Sequence, residues 1–83
     1  MVVIKEVRID VELVSYLQER KLLGQYEKAE KFLIAGKFQN AHFKLREPKE
    51  NGVWYFRINK QYRAFAFLEN EVLYVYKIYD YSK

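Results

Sequence analysis

The spacing of apolar residues changes period along the chain. Residues 2–9 hold Val2, Val3, Ile4, Val7 and Ile9, a β-branched cluster that predicts a first strand. Asp10 stands where a helix N-cap belongs. After it Leu13, Val14 and Leu17 recur at helical spacing, with Glu12, Gln18, Glu19 and Arg20 between them. Gly24 is placed to end this helix. A second helix follows, with Tyr26, Ala29, Phe32 and Leu33 on one stripe and Glu27, Lys28, Glu30 and Lys31 outside it. Gly36 falls at a C-terminal glycine stop. Two helices joined this tightly predict an antiparallel hairpin.

Residues 37–52 lose the helical period. They carry Pro48 and the turn pair Asn51-Gly52, and predict a loop with a short extended stretch around Ala41–Leu45. Beyond it the period falls to two. Strands are predicted at about 53–59, 62–68 and 71–79, with turns at Asn59-Lys60-Gln61 and Glu69-Asn70-Glu71. In the first of these, Trp54, Phe56 and Ile58 share one face and Tyr55, Arg57 and Asn59 the other. In the second, Ala64, Ala66 and Leu68 oppose Arg63, Phe65 and Phe67. Small alanines admit a helix, so that face is placed against the hairpin. Arg57 and Arg63 then share the face away from it. The expected fold is α+β, with an N-terminal strand, a helical hairpin and an antiparallel three-stranded meander, all in one domain over 1–83.

Composition narrows the class. With 51% hydrophobic and 18% aromatic residues the chain can bury a core. It has no cysteine, which removes disulfides and thiolate metal sites and suits a reducing cytoplasm. Its longest apolar runs, such as Ala64–Leu68, are far too short for a bilayer, and residues 1–6 do not resemble a signal peptide. A cytosolic protein is expected. From Gly36 to Arg63, seven bases face two acids, a net +5 that exceeds the +4 of the whole chain. Charge concentrated in this way favours an anionic partner, and RNA is the first candidate.

Few enzyme chemistries fit. Three scattered glycines build no phosphate loop, and one histidine without an acidic cluster builds no dedicated metal site. A Ser-His-Asp arrangement would need His42 with Ser15 or Ser82, neither in a nucleophile-like turn. What remains is cations and phenols. Lys44, Arg46 and Lys49 precede the sheet, Arg57 and Arg63 sit on adjacent strands, Lys60 is in the turn between, and Lys77, Tyr79 and Tyr81 alternate around Asp80. RNA can be cut without a metal when its 2′-hydroxyl attacks the neighbouring phosphate. Arginine suits the growing phosphate charge because its planar fork matches the oxygens. Lysine, tyrosine, aspartate or histidine can move protons, and aromatic rings can hold unstacked bases. The plainer alternatives are cross-strand pairing of Arg57 and Arg63 with Glu69 or Glu71, and tyrosines present for strand packing.

The stretch from Trp54 to Phe67 resembles the central signature of the RelE/ParE toxin superfamily, and its HigB branch most closely. That signature is an aromatic-x-x-Arg-(Ile/Val)-Asn-x-x-aromatic-Arg run, an acidic turn and a last strand ending in Asp-Tyr-His. Here the turn is Glu69-Asn70-Glu71 and the ending Tyr79-Asp80-Tyr81-Ser82. Lys44-Leu45-Arg46 with Lys49 is similar to the family's basic segment ahead of the sheet. The resemblance covers 44–82 by motif and the rest by element order. It implies a toxin of a toxin–antitoxin pair that cleaves mRNA on the ribosome with no metal or other cofactor. Arg57 and Arg63 would then hold the scissile phosphate, with Lys49 and Arg46 assisting. Asp80 and Tyr81 would serve proton transfer or substrate placement. Lys44, Lys60, Lys77 and Tyr79 complete the expected RNA-binding set. The partner implied is an acidic antitoxin, of helix-turn-helix type on the HigB branch. The family's histidines at the positions of Arg46 and Ser82 are absent, and His42 is out of register with them. Proton transfer would then fall to Tyr81, Asp80 or Lys49. A gyrase inhibitor on the same fold and a non-catalytic RNA- or partner-binding module are the alternatives.

Overall fold

The computed structural model describes residues 1–82. In chain order it holds β1 (Glu6–Ile9), α1 (Val11–Glu19), α2 (Leu23–Ile34), β2 (Lys44–Leu45), a 3₁₀ turn (Lys49–Asn51), β3 (Val53–Arg57), β4 (Tyr62–Glu69) and β5 (Val72–Asp80). The predicted α+β order is present. The sheet is larger than the meander alone, with five strands in the order β1-β5-β4-β3-β2. β1 runs parallel to β5, and the other pairs are antiparallel.

One face of the sheet takes both helices. Tyr26, Ala29 and Leu33 of α2 and Leu17 of α1 are buried with Phe56, Ile58, Ala64, Ala66, Leu73 and Val75. Ala64 and Ala66 are fully covered, as their small size predicts. Trp54 lies on the same face, stacked on Phe43 with ring centroids 4.6 Å apart. Among the described residues no helix lies over the other face.

Three features depart from the sequence reading. β1 begins at Glu6, though Ile4 is buried and Lys5 N–H reaches the Glu71 carbonyl at 2.8 Å. Gly24 lies inside the first turn of α2 and does not end α1. α1 stops at Lys21, whose φ of 59° is left-handed. There Leu22 N–H bonds the Leu17 carbonyl (2.8 Å) and Lys21 N–H bonds that of Gln18 (3.1 Å). This is a Schellman closure, and burial of both Leu17 and Leu22 holds it without glycine. α2 ends by the same pattern at Gly36, φ 78°, as expected. Asp10 occupies the N-cap position, but its side chain makes no capping bond and its carbonyl serves Leu13 and Val14.

The third difference is a bulge in β5. Phe65 pairs with Lys77, but Ala66 pairs with Val75, so Tyr76 is the extra residue. A one-residue insertion reverses the facing of everything after it. Leu73 and Val75 point to the core before the bulge, and Ile78 does so after it. Lys77, Tyr79 and Tyr81 are thereby carried to the open face, beside Tyr74 and Tyr76.

The core contains one poorly matched polar atom. Tyr26 Oη is buried and has no hydrogen-bond partner among the described residues. Glu30, one turn on, acts on it through charge and as a neighbouring acceptor, short of a well-formed hydrogen bond. Burial, reinforced by Glu30, pushes the Tyr26 phenol far above its ordinary range, and burial also raises the Glu30 carboxyl. Both folded values exceed the unfolded ones, so their contribution to stability is full at low pH and is lost as pH rises. For Tyr26 that loss starts near an unfolded pKa of about 10. Tyr26→Phe is expected to stabilise the fold by about 1 kcal/mol at neutral pH, by removing an unpaired buried hydroxyl. It should also blunt unfolding above about pH 10. Urea titrations at both pH values check this.

Candidate functional site

The open face is built in register. Lys44 of β2 pairs with Tyr55 of β3, Tyr55 with Phe65 of β4, and Phe65 with Lys77 of β5, so one row crosses four strands. The next row is Arg57, Arg63 and Tyr79. Tyr55 meets Phe65 edge-on with centroids 6.3 Å apart, Phe65 stacks on Tyr79 at 6.1 Å, and Tyr79 meets Tyr81 edge-on at 4.7 Å. Phe65, only 5% exposed, is the floor of this second, smaller aromatic cluster. Phe67 and Tyr76 stack at 4.7 Å further along, and both are exposed.

Cations lie over these rings. The Arg46 guanidinium is 5.0 Å from the Phe65 centroid, that of Arg63 is 5.0 Å from Tyr81, and Lys77 Nζ is 5.7 Å from Tyr79. Such contacts hold a cation in place and leave its hydrogen-bond donors for a ligand. Two adjoining hollows, of about 350 and 320 Å³, share Arg46, Phe65 and Tyr81. Lys44, Glu47 and Tyr55 line the first, and Tyr76, Lys77 and Tyr79 the second. The far end of this face differs in charge, since Glu6 there holds Arg8 through a 2.7 Å ion pair.

Arg57 and Arg63 face each other directly across β3 and β4. Arg63 Nη1 donates to the Asn59 carbonyl at 2.9 Å and weakly to that of Tyr62 at 3.4 Å, which fixes it against the β3–β4 turn. Arg57 Nε is buried with no hydrogen-bond partner among the described residues. A half-buried guanidinium with an idle donor is costly unless an acceptor arrives. The alternative pairing of Arg57 and Arg63 with Glu69 or Glu71 is not made among the described residues, and Glu71 instead holds Lys5 at 3.2 Å.

The other expected site residues divide. Lys44, Arg46, Lys77, Tyr79 and Tyr81 join Arg63 on the open face, whereas Arg57, its cross-strand neighbour, lines a cleft shared with α2. Lys60 is exposed in the β3–β4 turn, one residue beyond Asn59. Lys49 starts the 3₁₀ turn, and the hollow beside that turn is lined by Arg46, Glu47, Pro48, Asn51 and Val53, without it. Asp80 pairs with Tyr62, a core residue, and so belongs to the opposite side of β5 from Tyr79 and Tyr81. Its Oδ1 accepts bonds from Gln61 Nε2 (3.0 Å), Ser82 N–H (2.9 Å) and Ser82 Oγ (2.6 Å). The carboxylate ties down the C-terminal turn. Tyr55 and Phe65 lie in the candidate site but were not singled out by the sequence reading, and Tyr76, weighed there with Tyr74, Tyr79 and Tyr81 as a stacking run or strand packing, joins them. Period-two alternation from Arg57 and Arg63 identifies Tyr55 and Phe65, whereas Tyr76 requires the bulge.

A separate cleft opens beyond the end of β3. It measures about 250 Å³ and is lined by Gln25, Lys28, Ala29, Phe32, Asn40, His42, Arg57 and Ile58. No protein-family model matches the chain, and no curated protein sequence matches it.

Proposed function

We propose that this chain is a metal-independent endoribonuclease of the toxin type, acting on mRNA held by the ribosome in the cytosol and silenced by an acidic antitoxin. The observation that carries the reading is the Arg57–Arg63 pair, set in register across β3 and β4 with the idle Nε of Arg57. Guanidinium forks on two cross-strand neighbours suit a phosphate whose charge grows during attack by the 2′-hydroxyl. The aromatic rows beside them suit unstacked bases. The element order is the one that the RelE/ParE resemblance implies, and Arg57 and Arg63 are its signature arginines. That element order is analogy and carries less weight than the pair.

A non-catalytic RNA-binding module is favoured by one observation. The Asp80 carboxylate is engaged in the C-terminal turn, on the other side of the strand from Tyr81. The two readings part on cleavage. Purified protein mixed with translating ribosomes and a defined message should cut it under the first reading and leave it whole under the second.

Both readings share a salt dependence. Lys44, Arg46, Arg57, Arg63 and Lys77 present five cations to a single strand. Log affinity against log salt should then fall with a slope of about −3.5, at roughly 0.7 per phosphate contact. Lys44→Ala should lower that slope by about 0.7. Fluorescence anisotropy with a labelled single-stranded RNA measures both.

A further inference from the structure

We propose that His42, the chain's one histidine, takes the 2′-hydroxyl proton during cleavage; the proposal rests on the nuclease reading above. The 41–42 backbone is fastened alongside the end of β3 by the Arg57 N–H, which donates to the Ala41 carbonyl at 2.8 Å. His42 and Arg57 line one cleft, with Lys28 of α2 as the other charged group facing it and the amides of Gln25 and Asn40 beside them. His42 is exposed, so its ring is open to a ligand lying on Arg57.

The backbone there is also unusual. His42 has φ 52°, in the left-handed region where glycine or asparagine sits at lower cost. Its N–H bonds the Gln39 carbonyl at 3.2 Å, and the following Phe43 N–H bonds that of Phe38 at 3.0 Å, which together hold the turn. Phe43 is then clamped between Phe38 and Trp54. An exposed histidine lining one cleft with an arginine that has an idle donor points to a role for its side chain.

The step balances without a co-reactant other than water. An imidazole nitrogen accepts the 2′-hydroxyl proton, the 2′-oxygen–phosphorus bond forms and the phosphorus–5′-oxygen bond breaks. The 5′-oxygen takes a proton from water, and the imidazolium returns its own to the hydroxide left behind. The products are a 2′,3′-cyclic phosphate and a 5′-hydroxyl. Arg57, which lines the same cleft as His42, holds the phosphate oxygens throughout.

The test compares wild type, His42→Asn and His42→Gly in the ribosome assay as a function of pH. Both replacements suit a left-handed backbone, so the fold is kept. The expected result is a rate loss of about 100-fold or more in each, typical of a missing acid–base group. The acid limb of the pH profile should vanish, His42→Gly should melt at higher temperature, and added imidazole should restore part of its rate. Variants within threefold of wild type would overturn the role of His42 and leave the nuclease reading standing. A rate loss with the acid limb intact and no imidazole rescue would also overturn it, since His42 would then be acting on structure or binding. A wild type that makes no cuts would overturn both.

Discussion

Exchanging Arg57 and Arg63 together for alanine is expected to slow cleavage of ribosome-bound message by about a thousandfold or more, the scale set by removing charge stabilisation at a reacting phosphate. Two arginines acting on one phosphate work as a unit, so each single variant should lose most of that factor. Lysine is no substitute at either position. Its point charge cannot reproduce two parallel N–H bonds, and Arg57→Lys should recover less than a tenth of the rate. Stability should change little, because Arg57 Nε forms no bond that its removal would break. Arg63 donates to the Asn59 carbonyl, and its loss should cost about 1 kcal/mol. Matched thermal melts and rates from the same preparations separate the two effects.

The second large effect concerns the two faces of one sheet. Phe56 and Phe67 lie on adjoining strands, but Phe56 is fully buried against Tyr26 whereas Phe67 is 45% exposed. Phe56→Ala should cost about 3–5 kcal/mol, from lost transfer energy and the cavity left under α2. For a chain this short that is much of the total margin, and the variant should be largely unfolded at 37 °C. Phe67→Ala should change stability by about 1 kcal/mol at most, yet weaken single-stranded RNA binding several-fold through the loss of its stack with Tyr76. Urea denaturation and anisotropy on both variants read the contrast directly. Similar losses of stability in the two would mean that the open face is a core of its own.

Most of the fold could be read from periodicity, and where it could not, the reason is long-range. Ala64 and Ala66 mark the helix-facing side because only small residues let α2 approach. Gly36 marks a helix end because a left-handed residue is needed there. Gly24 misled because the nearby left-handed position is filled by Lys21, held by burial of Leu17 and Leu22. The parallel pairing of β1 with β5 rests on contacts between the two ends of the chain, which no local pattern encodes.

The candidate site was legible in the pairing of its arginines and less so in the placement of its carboxylate. Arg57 and Arg63 fall on one face by alternation alone, and register confirms that they pair. The tyrosines carry the bulge in their spacing. Tyr74 and Tyr76 are two apart, Tyr76 and Tyr79 three apart, and Tyr79 and Tyr81 two apart again, a phase change that an unbroken strand cannot keep on one side. Plain alternation puts Asp80 on the other side of β5 from Tyr79, where the motif alone suggests that it acts together with the tyrosines. His42 was passed over because it lies in a loop, and only the folded turn from Phe38 to Phe43 brings it to Arg57.

The central claim is that the arginine pair cuts RNA, and mapping mRNA 5′ ends after induction in a bacterial host tests it most directly. New ends phased to codons in cells making the wild type, and absent with the Arg57→Ala/Arg63→Ala variant, are what the account predicts. Intact messages with unimpeded translation in cells that accumulate the wild-type protein would contradict it.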